Sequence, residues 1–155
     1  MSRSINRVKT AAETAGLAIK ILQMPNSTRT AAEAAAACGC DVAQIVKSLI
    51  FKGRETGALK LLLVSGAHQL DLEKAAGLIG EPLERADPKE VRDITGFAIG
   101  GVSPLGHLTP IDTWMDATLL GFGTVWAAAG APNAVFEVAS AALSDAASAT
   151  IADLT

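Results

Sequence analysis

Two apolar runs set the strongest limit on what this chain can fold into. Ile45-Val46-Lys47-Ser48-Leu49-Ile50-Phe51 is rich in β-forming residues, and residues 59–64 (LKLLLV) are almost continuously apolar. The segment between them, Gly53-Arg54-Glu55-Thr56-Gly57, is bounded by glycines, so the pair reads as a β-hairpin. A nearly unbroken apolar strand is not the pattern of a sheet with one wet face. It is the pattern of a strand covered on both faces.

The covering layers are helical. Residues 7–15 have helical spacing and stop at Gly16. Thr30 opens an alanine-rich helix, with Glu33 three residues on, and Gly39 closes it. Asp41 caps a short turn, Asp71 starts DLEKAAGLIG, and Pro88 sits in the first turn of DPKEVRDI, where proline is tolerated. Residues 140–147 form a closing helix. Further strands are expected at 17–24, 108–111, 123–129 and 134–138. Helices and strands mix without strict alternation, and no repeat, charge block or linker divides the chain. The expected class is α/β, one domain over residues 1–155 with a mixed central sheet flanked by helices, not a Rossmann layout.

Composition narrows the function. A chain of 155 residues suits one domain of roughly 100–200 residues. Half of it is apolar, but much of that is alanine, and six aromatics with no tyrosine leave the core to Leu, Ile and Val. No apolar run approaches the ~18 residues of a membrane span. The stretch Met1-Ser2-Arg3-Ser4-Ile5-Asn6-Arg7 is polar and unlike a signal peptide. A cytoplasmic protein with no membrane partner is expected. The net charge of −3 argues against a DNA-binding or broadly nucleic-acid-binding domain. Local basic groups remain, with Lys47, Lys52, Arg54 and Lys60 around the hairpin and Arg85, Lys89 and Arg92 beyond it; a solvated surface accounts for most of them.

Cys38 and Cys40 lie one residue apart, so a bridge between them would close almost no loop. His68 and His107 are distant from them and from each other, without metal-ligand spacing. Free thiols at a helix end, no metal and no cofactor are expected.

The chemistry-bearing candidate is Gly100-Gly101-Val102-Ser103-Pro104-Leu105-Gly106. Three glycines and a proline predict a stiff bend, following the apolar Phe97-Ala98-Ile99 at a strand end. Its outward amides would suit a phosphate or an oxygen that becomes negative during reaction. A tight turn without chemistry is the competing reading. Lys47, inside an apolar strand, either snorkels from an edge or points into a cleft, where it could hold a phosphate or polarise a carbonyl. Ser65-Gly66-Ala67-His68 follows the second strand and could line the same sheet end. Gly130-Ala131-Pro132-Asn133 is a second Gly/Pro turn; Asn133 offers a polar contact or is part of an ordinary hairpin connection. Ser103 has no base beside it in sequence and no G-x-S-x-G elbow, and His107 could approach it only through the fold. Asp112 and Asp116, at helical spacing near Trp114, are either paired carboxylates or an exposed helix start. The pattern points to backbone donors plus one lysine.

The order of elements, the lysine in IVKSLIF, the loop GGVSPLG and the later GAPNAVFEV resemble the YbaK and prolyl-tRNA synthetase-associated editing domain family. The resemblance runs from the region of Arg29-Thr30-Ala31-Ala32-Glu33 to Val138. It implies a curved, barrel-like sheet and hydrolysis of mischarged aminoacyl-tRNA, with prolyl-tRNA synthetase or an elongation factor as a further partner. It implies that Lys47 matches the family's functional lysine and that residues 100–104 match its G-x-x-x-P substrate loop. Lys47, Gly100 and Gly101 then take the catalytic roles, with Ser103, Pro104, Ser65, His68, Gly130 and Asn133 against substrate. The 2′-hydroxyl of the terminal adenosine assists the reaction in that family, which agrees with the missing triad. Where some relatives carry a selecting histidine or serine, this chain has Gly130-Ala131-Pro132-Asn133. GAPNAVFEV looks closer to the freestanding ProXp-type relatives than to YbaK itself. A non-catalytic tRNA- or synthetase-binding module of the same fold is the alternative, and a small-molecule hydrolase on this scaffold a third reading.

Overall fold

A computed structural model of the chain describes residues 2–28 and 30–155; Met1 and Arg29, the latter at the edge of the family-like region, lie outside the described residues. Helix α1 spans Arg3–Thr14, longer than its periodicity suggested, because the Ser2 hydroxyl accepts from the Ile5 amide and caps it. Strand β1 is Ile21–Gln23. Helix α2, Ala31–Cys38, starts at a Thr30 side-chain cap and stops at Gly39, whose φ of 68° is left-handed. Strands β2 (Val46–Gly53) and β3 (Leu59–Ser65) form the expected hairpin, paired antiparallel from Val46↔Ser65 to Lys52↔Leu59. Then come α3 (Leu72–Ile79), β4 (Leu83–Arg85) and α4 (Pro88–Thr95), with Asp71 and Asp87 as caps. The chain continues through β5 (Asp112–Asp116), β6 (Thr124–Ala128), β7 (Ala134–Ala139), α5 (Ser140–Ala146) and β8 (Thr150–Ala152).

The strands form two sheets rather than one closed surface. One has the order β1-β7-β6 and is antiparallel. The other, β4-β2-β3-β5-β8, is antiparallel through β4, β2 and β3 and parallel through β3, β5 and β8. Among the described residues, a single parallel bridge, Ile45↔Trp126, joins them. The sheet is mixed as expected, but the barrel stays open: among the described residues, that bridge alone links the β2 side to β6.

Every residue of β3 is buried. Leu59, Leu61 and Leu63 enter the main core with Ile5 and Val8 of α1, Met115, Phe136 and Leu143. Leu62 and Val64 face the opposite way, toward Ala75 of α3, Leu83 and Leu154. That is the two-sided burial the apolar run predicts.

Two expected elements move. Residues 108–111 are not a strand: the Leu108 and Thr109 amides donate to the Thr95 and Ile94 carbonyls, folding this segment back on the end of α4. The strand starts at Asp112, so Asp112 and Asp116 are not a helical pair; Asp112 opens the strand, and Asp116 closes it and caps the short 3-10 helix Ala117–Gly121. Asp116 is fully buried and accepts from the Leu154 and Thr118 amides and the Thr118 hydroxyl, while Asp112 pairs with Lys60 at 3.4 Å.

Candidate active site

The meeting of the two sheets leaves a cleft of about 440 Å³. Ala31 and Ala34 of α2, Ala127 and Ala128 of β6 and Val135 of β7 line it with small side chains, and Trp126 of β6 is the one large residue among them. Residues 45–49 supply one side, and Ile99, Gly100 and Val102 form the rim opposite. The structure therefore brings Lys47 and the glycine loop to one cavity across more than fifty residues of sequence.

The loop does not follow a strand. Gly96, with φ of 82°, ends α4, and the Thr95 hydroxyl accepts from the Phe97 amide, so the bend grows from a helix end. Gly101 donates its amide to the Ala98 carbonyl at 3.0 Å, and Leu105 donates to the Ser103 hydroxyl at 3.2 Å. Among the described residues, the Gly100 and Val102 amides have no acceptor. Gly100 is exposed with φ of 94°, whereas Gly101 to Leu105 are buried. Ser103 and Pro104 thus sit behind the rim, and the open donors belong to Gly100 and Val102. Gly101 packs against the next loop; a Cβ on it would lie 3.0 Å from the Ala131 backbone.

Lys47 contributes to the cleft wall, but its ammonium donates to the His68 carbonyl. Burial holds its pKa below the usual 10.5, because removing solvent disfavours the charged form. His68 meets Lys47 only through that carbonyl; its ring is exposed. Ser65 is buried, donating to the Ala43 carbonyl at 2.7 Å and accepting from the Ala67 amide. Neither side chain lines the cleft. Asn133 donates to the Met24 carbonyl at 3.0 Å, and the Met24 amide returns a bond to the Asn133 carbonyl at 2.7 Å. Gly130, with φ of 99°, lies against the Ser4 backbone and the Phe97 ring. This turn is a strap that holds β7 to the segment after β1.

One polar group escaped the sequence reading. The Ser48 hydroxyl is buried at the cleft without a hydrogen-bond partner among the described residues. Strand alternation was the available signal, since Ser48 shares parity with the core residues Val46 and Ile50 and Lys47 does not. Ser48, Leu49, Ile99, Gly100 and Val102 also line a second cleft of about 510 Å³ that carries Phe51 and Arg85.

The basic residues around the hairpin and those beyond it differ in their partners. Lys52 pairs with Glu90 at 3.1 Å and Arg54 with Glu84 at 3.5 Å, and Lys60 is buried between Glu81 and Asp112. Arg85, Lys89 and Arg92 are exposed and make no ion pair among the described residues. Both cysteines are free, and burial pushes the Cys38 thiol up to about 11. Among the described residues, no group of three or more His, Cys, Asp or Glu is placed to hold a metal, and no helix is long and apolar enough to cross a membrane.

Comparison with known proteins agrees with this architecture. The aminoacyl-tRNA editing domain model matches residues 25–146, and the chain belongs to that family. The crystal structure of a proposed trans-editing enzyme for prolyl-tRNA synthetase superposes with a TM-score of 0.93 at 51% identity, covering 100% of this chain and 98% of the other. The hypothetical protein APE2540 superposes at 0.87 with 32% identity, covering 96% and 98%. The uncharacterised protein YwhH of Bacillus subtilis (strain 168) is 31% identical over 125 residues, 81% of this chain and 79% of its own. A proline–tRNA ligase of Thermosipho melanesiensis is 36% identical over 88 residues, which is 56% of this chain but only 15% of the ligase.

Proposed function

We propose that the protein is an aminoacyl-tRNA deacylase that acts in trans on mischarged tRNA, with tRNA-Pro as the expected carrier. The observation that carries this reading is the cleft itself: two unpaired amides on its rim, a partly desolvated lysine and an unpaired serine hydroxyl in its wall, in a chain of the editing family. Water adds to the ester carbonyl, the bond to the ribose oxygen breaks, and a free amino acid and deacylated tRNA leave. The Gly100 and Val102 amides receive the charge that develops on the carbonyl oxygen. Lys47 exchanges its His68 partner for a substrate phosphate or carbonyl, and the tRNA 2′-hydroxyl assists the water.

Four alanines in the walls favour a small aminoacyl group, and Ser48 offers it one hydrogen bond. Exposed Arg85, Lys89 and Arg92 are among the few cations left to meet tRNA phosphates, so binding is expected to be modest and salt-sensitive. A synthetase or elongation factor already holding the tRNA would then help, and the reaction would take place in the cytoplasm. The parked Lys47 ammonium favours one competing reading, a binding module without turnover.

The test is incubation with alanyl-, seryl-, threonyl- and cysteinyl-tRNA, following loss of the ester. Hydrolysis of at least one, above the buffer rate, supports the deacylase. Binding of these tRNAs with none hydrolysed selects the module.

A further inference from the structure

The segment between α4 and β5 closes on itself at residues 96–107. At its neck the Leu108 amide donates to the Thr95 carbonyl at 3.0 Å. Arg7 of α1 reaches across that neck, donating from Nη2 to the Gly96 carbonyl at 2.6 Å and from Nε to the Gly106 carbonyl at 3.3 Å. Its guanidinium also lies 5.1 Å from the centre of the buried Phe97 ring. His107 stands edge-on to the same ring, with centroids 5.4 Å apart and planes at 80°. Its Nε2 contacts the Ser103 carbonyl at 2.6 Å. A carbonyl only accepts, so Nε2 carries the proton and the imidazole donates. Nδ1 is then the bare nitrogen, buried and without a partner among the described residues. Neither Arg7 nor His107 lines the substrate cleft.

We infer that Arg7 and His107 are positioning residues that lock the 96–107 loop in the shape presenting Gly100 and Val102 to the cleft. Both side chains pack on one phenylalanine of the loop. Arg7 ties its two ends together, and His107 ties its middle, through Ser103, to its end. The unpaired amides keep their aim because the residues behind them cannot turn.

The lock works with a neutral imidazole. Burial, and then the neighbouring Arg7 charge, lower the His107 pKa below the ordinary 6.5, against the opposing pull of the Ser103 carbonyl. The α1 side presents the Arg7 cation, the loop presents the Phe97 ring and Ser103 carbonyl, and the α4 end presents the Gly96 carbonyl, already taken by Arg7. A second proton would put an unpartnered N–H on Nδ1 beside a cation, so acid should loosen the loop.

The catalytic readout rests on the deacylase reading, so the experiment has a second readout that does not. Wild type, His107→Gln, His107→Phe and Arg7→Met are compared from about pH 5 to about pH 8, the window in which imidazoles titrate. Deacylation is split into kcat and KM, and the Gly100, Gly101 and Val102 amide signals are followed by NMR with the His107 ring protons. In wild type the amides should shift with the His107 midpoint, below 6.5, and kcat should fall along the same curve. Gln retains a donor and cannot titrate, so it should keep near-normal kcat and lose the acid limb. Phe retains the ring packing without the donor, and Arg7→Met keeps the stem. Both should fold yet lose about a hundredfold in kcat, as expected for misplacement of about 1 Å, with KM little changed. Loop amides that ignore the His107 titration, or an acid limb that survives in His107→Gln, would overturn the lock. If wild type hydrolyses no tRNA, the function reading falls, and the amide titration still decides the lock.

Discussion

Two Gly/Pro turns, 100–104 and 130–133, look alike in composition and touch each other in the fold, yet they are put to different use. Each opens on a glycine with positive φ, 94° at Gly100 and 99° at Gly130. Gly101 abuts Ala131, so the two turns support one another. The difference lies in their polar groups. In the second turn the Pro132 carbonyl accepts from the Thr28 amide and hydroxyl, and Asn133 exchanges two bonds with Met24. In the first turn Gly100 and Val102 line a cavity, and their amides have no acceptor among the described residues. An irregular segment is free to bind a ligand when the fold leaves its donors unspent.

Gly100→Ala and Gly101→Ala should show the largest effect. The first strains a left-handed residue, and the second drives a methyl into the Ala131 backbone. Losing one oxyanion donor costs roughly 2.7–4 kcal/mol of barrier, a hundred- to thousandfold in rate. Steady-state deacylation beside melting curves checks this; folded variants with normal turnover would remove the loop from the site. Ser103→Ala should behave differently, because its hydroxyl only accepts from the Leu105 amide. A buried orphaned amide costs about 1–3 kcal/mol of stability, and turnover should fall much less. If Ser103→Ala were dead with both glycine variants active, the hydroxyl would be the working group.

Lys47→Ala comes next and should remove most turnover without unfolding the protein, with Lys47→Arg a partial rescue, since a planar fork does not replace a point charge. Turnover unaffected by the loss of the ammonium would leave the rim amides to work alone.

The second turn should respond through stability only. Gly130→Ala forces a left-handed alanine whose Cβ lies 2.9 Å from the Ser4 backbone. A left-handed L-residue costs about 1–2 kcal/mol, and each 1 kcal/mol lowers Tm by about 2–4 °C at this size. Asn133→Ala loses one hydrogen bond, worth about 1 kcal/mol. Turnover per folded molecule should hold in both; a selective loss in Asn133→Ala would put that side chain against substrate. Smallest of all is the Cys38→Ser, Cys40→Ser double variant. The Cys38 thiol, raised to about 11, stays protonated at neutral pH, so neither this variant nor a chelator should change turnover.

The hairpin was legible because a run such as Leu61-Leu62-Leu63-Val64 has only one stable surrounding, and the helix ends because Thr30, Asp71, Gly39 and Gly80 carry their own capping chemistry. The strand at Asp112–Asp116 was not. Its two aspartates sit at a spacing that also fits a helix, and parallel pairing with β3 leaves no local mark. The three-residue β4 and β8 are too short to show a period; β8 exists because β5 offers it an edge. Ionic partners were equally hidden, since Lys60 meets Asp112 only after the chain has crossed the sheet.

By itself, the sequence determined the α/β class, the doubly covered hairpin and the helix caps, and it marked Lys47 and Gly100 as candidates for the proposed site. Each of these depends on neighbours within a few positions, where propensity and backbone chemistry act directly. Tertiary structure alone decided that the barrel stays open, that Ser48 and not Ser65 faces the cleft, that Asn133 is a strap, and that Arg7 grips the loop from the far end of the chain. Those outcomes turn on which hydrogen-bonding groups remain after distant segments pack, and a group's leftover valence is a property of the whole fold.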